Sequence, residues 1–123
     1  TVASHLLGSR HIPDLQNAIL ILEDIGEAPY RIDRMLTQWR LAGLLQGLAG
    51  LGFGQFTKCE SSNEKSNNQS FNIQEVLKER SQDLNIPIIG NLPIGHCEGN
   101  ASLPQGRLAL LDGNKGRLSL FPF

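Results

Sequence analysis

The sequence predicts a mixed α/β domain with a partly parallel central sheet, two helices and a C-terminal β-hairpin. Apolar runs without helical periodicity, rich in branched or small residues, have the character of strands buried on both faces. Amphipathic stretches separate those runs, in the alternation that builds parallel sheets. Near the end, DGNKG at 112–116 lies between two apolar segments and signals a hairpin. Counted together, the elements are about five or six strands and two helices.

At 123 residues the chain suits one domain, 1–123, able to bury roughly two thirds of its unfolded surface. Lys plus Arg total 11 against 12 for Asp plus Glu, and the net charge of −1 creates no field to attract a polyanion or an anionic bilayer. Nucleic acid and membrane are therefore not expected partners. No apolar run approaches the roughly 20 residues of a spanning helix. Thr1 opens the chain with neither an initiating Met nor the basic start of a signal peptide, so the sequence reads as a fragment. Cys59 and Cys97 lack CxxC spacing and read as free thiols in a reducing compartment.

Taken in order, residues 2–7 are apolar apart from Ser4 and His5 and run into a turn-rich stretch, which suits a short first strand. His5 and His11 have no partner pattern and read as structural or solvated. Residues 17–23 form the expected central strand, buried on both faces and ending on Glu23. A carboxylate there sits at the carboxyl edge of a sheet, where open α/β sheets hold their chemistry. An acid pair such as Glu23 and Asp24 can equally begin a solvated loop.

Pro29 then opens a helix, because proline favours the first turn and Glu27 suits the positive end of the helix dipole. Ile32, Met35, Leu36, Trp39 and Gly43 fall on one stripe, and the intervening arginines form a solvated outer face. In 44–56, Gly50, Gly52 and Gly54 alternate with Leu51 and Phe53. This is not a dinucleotide fingerprint, since the GxGxxG spacing is missing and no helix pattern follows. It reads as a second buried strand whose glycines admit a close neighbour.

The polar stretch 57–70 has no aliphatic residue and is expected to be a surface loop. Asn72 and Glu75 have capping-box spacing ahead of a helix reaching Asn85, with Ile73, Val76, Leu77 and Leu84 inward. A third strand follows at 86–90, its proline near the start. Next comes a loop bracketed by glycine and proline around a single histidine, Gly95-His96-Cys97. Finally, 107–111 and 117–121 are expected to add edge strands to the sheet.

An acid at one strand end and a histidine in a rigid loop after another make two thirds of a nucleophile, base and orienter triad. No serine lies in a nucleophile-elbow context, and Cys97 adjoins His96 too closely along the chain to face it. Read from residues alone, the pair is either structural or completed by a group located elsewhere.

The segments ILILEDIGEAPYRIDRMLTQ at 19–38, LAGLL at 41–45, LPIGH at 92–96 and Leu103-Pro104 closely resemble the C-terminal domain of the LD-carboxypeptidase, or muramoyltetrapeptide carboxypeptidase, family. The resemblance implies a swivelling β/β/α-type domain of a cytoplasmic serine peptidase that removes terminal D-alanine from murein tetrapeptides during cell-wall recycling. It implies no metal or other cofactor. By position, Glu23 would be the triad acid and His96 the base, with Glu27 as the alternative acid. The nucleophilic serine and the oxyanion donors would belong to an N-terminal domain absent from this chain, which would leave the fragment inactive, and the full-length protein would be a homodimer. Two other functions remain open: a microcin-immunity peptidase of the same family, and a non-catalytic binding or assembly domain.

Overall fold

The computed structural model describes residues 1–60 and 71–122. Most of the polar stretch expected as a surface loop therefore lies outside the described residues. The elements in chain order are a 3₁₀ turn at Val2–Leu6, β1 (Ile19–Ile25), α1 (Pro29–Leu41), β2 (Gly50–Thr57), α2 (Ile73–Glu79), β3 (Ile88–Ile89), β4 (Ala109–Asp112) and β5 (Arg117–Leu120). The first three strands form a parallel sheet in the order β1-β2-β3, with a helix in each crossover. The expected parallel sheet, two helices and hairpin are all present.

In this sheet β2 is the central strand and β1 lies beside it at the outside. The burial follows that order: the first five residues of β2 are buried, whereas those of β1 are half-buried. The run at 17–23 was expected at the centre, but the glycines of β2 suit that place better. A Cβ at Gly50 would come within 2.8 Å of Leu111 Cδ2, and one at Gly52 would overlap Ile21 and sit 2.9 Å from Leu92 Cδ1. Side chains of the neighbouring elements thus occupy the space over the β2 backbone that a Cβ would take.

Helix α1 turns Ile32, Leu36 and Trp39 inward against Leu45, Leu48, Leu51, Phe53, Val76 and Leu77. Leu51, on β2, is wholly excluded from solvent. The capping box of α2 is present in both halves, with Glu75 N–H donating to Asn72 Oδ1 and Asn72 N–H donating to Glu75 Oε2, each at 2.9 Å. A bidentate pair from Arg40 to Asp83, at 2.8 and 2.6 Å, joins α1 to the turns after α2.

Several boundaries differ from expectation. Residues 2–6 form a 3₁₀ turn and not a strand, anchored where Trp39 Nε1 donates to Ser4 Oγ at 2.9 Å. The second strand begins at Gly50, because Leu45 and Leu48 owe their apolar character to core packing in a turn. Helix α2 ends at Glu79, beyond which turns carry the chain to Leu84 and the Ser81 hydroxyl donates to the Leu77 carbonyl at 2.6 Å. The hairpin forms a two-stranded antiparallel sheet of its own and does not extend the parallel one. It packs by way of Leu111 against Gly50 and of Gly113 against Pro87 and Ile88.

Candidate active site

Glu23 lies near the carboxyl end of β1, opposite an irregularity in β2. Leu22 pairs with Phe53, but Asp24 pairs with Phe56, so Gly54 and Gln55 together face the single residue Glu23. The Gln55 N–H continues the alternation of Leu51, whose N–H donates to the Pro87 carbonyl, and donates to the Ile94 carbonyl at 2.8 Å. The extra residue reverses the alternation beyond it, so that the Thr57 carbonyl faces β1. Leu92 N–H likewise donates to the Phe53 carbonyl at 3.0 Å. The loop after β3 is thereby fastened along the far side of β2.

Further bonds fix the same loop. The Gln55 side-chain amide donates to Asn91 Oδ1 and to the Leu92 carbonyl, both at 2.9 Å. The Thr57 hydroxyl donates to the His96 carbonyl at 2.7 Å, and Gly95 N–H donates to Asn100 Oδ1 at 3.0 Å. Gly95, at φ 123°, occupies a conformation that side chains rarely allow. A Cβ there would also stand 2.7 Å from Glu23 Oε2. The bare backbone of Gly95 therefore lies against the carboxylate.

These constraints bring His96 Nδ1 to 2.9 Å from Glu23 Oε2. The carboxylate accepts from Nδ1–H, which leaves the Nε2 lone pair as a proton acceptor. The Glu23 side chain is 31% exposed and that of His96 57%, so the imidazole remains reachable from solvent or from a second protein surface. A groove of about 980 Å³ opens beside the pair, lined in part by Ile21, Met35, Trp39, Asn100 and Ser102.

Glu27 faces other partners. Its Oε1 accepts from the Thr1 hydroxyl at 2.8 Å, and its Oε2 lies 3.4 Å from Arg31 Nη1. Asp24 pairs with Thr1, its Oδ2 2.8 Å from the Thr1 hydroxyl. Among the described residues, no serine hydroxyl is hydrogen-bonded to His96, and no group of three or more His, Cys, Asp or Glu stands close enough to hold a metal ion. No described helix is long and apolar enough to cross a membrane. Cys59 is fully buried, and burial pushes its thiol up, with the nearby Asp24 and Glu27 carboxylates acting in the same direction against backbone hydrogen bonds. Cys97 is half-buried beside the site.

The sequence reading passed over Gln55, Thr57 and Asn100. A signal was present for two of them: Gln55 and Thr57 interrupt an apolar strand at its carboxyl end with spacing i, i+2, which places both on one face.

With this geometry in hand, similarity to known proteins becomes informative. A model of the LD-carboxypeptidase C-terminal domain matches residues 1–111. The chain belongs to this family. A crystal structure of muramoyltetrapeptide carboxypeptidase from Oxalobacter formigenes superimposes with a TM-score of 0.80 at 32% identity, covering 97% of this chain and 41% of that one. A provisionally named carboxypeptidase of Synechocystis sp. is 49% identical over 119 residues, which are 97% of this chain and 38% of the relative. The murein tetrapeptide carboxypeptidase of Pseudomonas aeruginosa is 32% identical over 113 residues, 90% of this chain and 34% of that protein. The chain thus spans little more than a third of the length of the curated relatives it matches.

Proposed function

We propose that this chain supplies the acid and the base of a serine LD-carboxypeptidase, whose nucleophilic serine and oxyanion donors come from an N-terminal domain of the whole protein. The 2.9 Å contact between His96 Nδ1 and Glu23 Oε2 carries this reading. Glu23 holds the imidazole in the Nδ1–H tautomer and stabilises the imidazolium formed in catalysis. His96 Nε2 takes the proton of the serine hydroxyl as its oxygen attacks the carbonyl carbon of the L,D-amide. The base then gives that proton to the departing amino group of D-alanine, leaving an acyl-enzyme. Water, deprotonated by the same nitrogen, releases the shortened peptide and restores the serine.

Membership of the family and the names of the relatives support murein tetrapeptide as the substrate. The same reading gives the whole protein a cytoplasmic place in cell-wall recycling, as a homodimer, and treats residues 1–123 as its C-terminal domain. It makes the chain inactive by itself, since neither nucleophile nor oxyanion hole is supplied. Glu23 is preferred over Glu27 as the acid, because the Glu27 carboxylate is engaged by Thr1 and Arg31.

The test is D-alanine release from a murein tetrapeptide by the whole protein and by this chain, with a peptidyl-nucleotide as a competing substrate. Release by the whole protein alone is expected. Activity in the chain alone, or turnover confined to the peptidyl-nucleotide, would overturn the proposal.

A further inference from the structure

Thr57 stands where the two halves of the pair are tied together. Its carbonyl accepts from Gly26 N–H at 2.9 Å, which holds the exit of β1 just beyond Glu23. Its hydroxyl donates to the His96 carbonyl at 2.7 Å. One residue at the end of β2 thus bonds to the chain leaving the acid and to the backbone of the base. Gln55, two residues earlier on the same strand, fixes the start of the histidine loop through Asn91 and Leu92. Between these anchors runs the stretch from Leu92 to His96, where Gly95 lies against Glu23 without a Cβ in the way.

The β2 bulge makes this arrangement possible. Two residues, Gly54 and Gln55, oppose Glu23, and the ladder with β1 resumes at Phe56 and Thr57. A regular strand would turn the Thr57 carbonyl to the side taken by the Leu51 N–H and the Phe53 carbonyl, away from β1, and the Gly26 N–H would lose that acceptor. The Ile25–Thr57 pairing sets the height of the Thr57 hydroxyl relative to β1. Accordingly, the distance between His96 and Glu23 is set from β2, a strand that contributes neither group.

Resting on the catalytic role proposed above for His96, we infer that Thr57, assisted by Gln55, is a positioning residue for the base. It holds the His96 backbone at the height where Nδ1 meets Glu23 Oε2. A 1 Å displacement of a catalytic group costs up to about 100-fold in rate, so loss of one tether is felt mainly in kcat.

The experiment compares the wild-type whole protein with Thr57→Val, which keeps the shape and removes the donor, and Thr57→Ser, which restores it. Steady-state D-alanine release is measured together with Tm, and the His96 ring nitrogens are followed by NMR after selective histidine labelling. Thr57→Val is expected to lower kcat by about 10- to 100-fold with KM within about twofold, and to weaken the Nδ1–H signature. Thr57→Ser should recover most of both. Gln55→Glu, which keeps the length but loses the amide donor, should give a smaller loss of the same kind. A Thr57→Val protein with wild-type kcat and unchanged imidazole signals would overturn the inference. So would a Thr57→Ser protein as impaired as Thr57→Val with an equal drop in Tm, the signature of a merely structural role. Should the wild-type protein release no D-alanine, the functional proposal falls, and the imidazole signals alone decide: loss of the Nδ1–H signature in Thr57→Val supports positioning, and its persistence overturns it.

Discussion

His96 Nδ1 and Glu23 Oε2 stand 2.9 Å apart although 73 positions separate them in the chain. The contact joins a side chain at the end of β1 to one on the loop after β3, and β2 lies between those strands. Neither residue is buried, and the core is complete without them. Their loss should therefore act on chemistry and leave folding largely intact.

Glu23→Gln keeps the size of the side chain but offers an amide in place of the carboxylate. The tautomer of His96 is then no longer fixed, and the imidazolium is no longer stabilised. The expected fall in kcat for the whole protein is roughly 10⁴-fold, the scale known for the carboxylate in serine triads. His96→Ala should be at least as severe. Both should keep Tm close to wild type, and a Tm loss large enough to unfold the protein would instead assign the pair to structure.

Two glycines of β2 should respond differently to an added methyl group. At Gly54 the new Cβ would overlap the Ile94 carbonyl and press on Glu23 Cβ at 3.2 Å, and a backbone atom cannot step aside cheaply. At Gly50 the nearest atom is Leu111 Cδ2, the far end of a side chain that can rotate. Gly54→Ala should cost about 1–3 kcal/mol, the usual scale of overpacking, and Gly50→Ala less. Urea titration of the two variants measures the difference, and equal losses would refute the ranking.

The two cysteines should separate by reactivity. Cys59 is fully buried with its thiol pushed up, whereas Cys97 is half-buried at the site. Limited treatment with iodoacetamide near neutral pH should label Cys97 first, as read by peptide mapping; earlier labelling of Cys59 would contradict its burial. The raised thiol also carries a sign. Its contribution to stability is fully present below the ordinary thiol value, roughly 8.5, and declines as pH rises through the higher folded value. Cys59→Ser should flatten that alkaline decline.

Asp83 should matter only while ionised. The Arg40 guanidinium beside it holds its carboxyl below the ordinary carboxylate value, overcoming a small opposing effect of burial. Its contribution is therefore present above about pH 4 and is lost as pH falls through the lower folded value. Asp83→Asn should lower Tm modestly near neutrality, and the gap from wild type should close in acid and in high salt. A gap independent of pH would show that the charge is not responsible.

Much of this architecture was legible in the chain because local chemistry and tertiary role agree. The stripe from Ile32 to Trp39, the Asn72–Glu75 box and the DGNKG turn are each determined by neighbours within a few residues. Glu23 stood out because an apolar run stops on it, although the strand itself begins two residues later than expected and continues past Glu23 to Ile25. Elements went astray where a short apolar run had two equally good explanations. Residues 2–6 hold none of the core, and Leu45 and Leu48 pack into it from a turn, yet a few residues of such sequence look the same in a turn as in a strand. The bulge at Gly54–Gln55 left no local mark, since a register shift exists only between two strands. For the same reason the tethers from Gln55 and Thr57 to the histidine loop emerge only in three dimensions.

The strand order also fixes when the site can assemble during folding. β1 and β2 can pair once α1 has formed, but His96 has no route to Glu23 until the chain has made its second crossover through α2 and laid β3 and the following loop along β2. Parallel pairings of this kind close long loops and form slowly. Any partly folded species lacking β3 therefore carries the acid without the base. The imidazole–carboxylate contact consequently reports that the parallel sheet and the loop after β3 are in place, and it is silent in every species that lacks them.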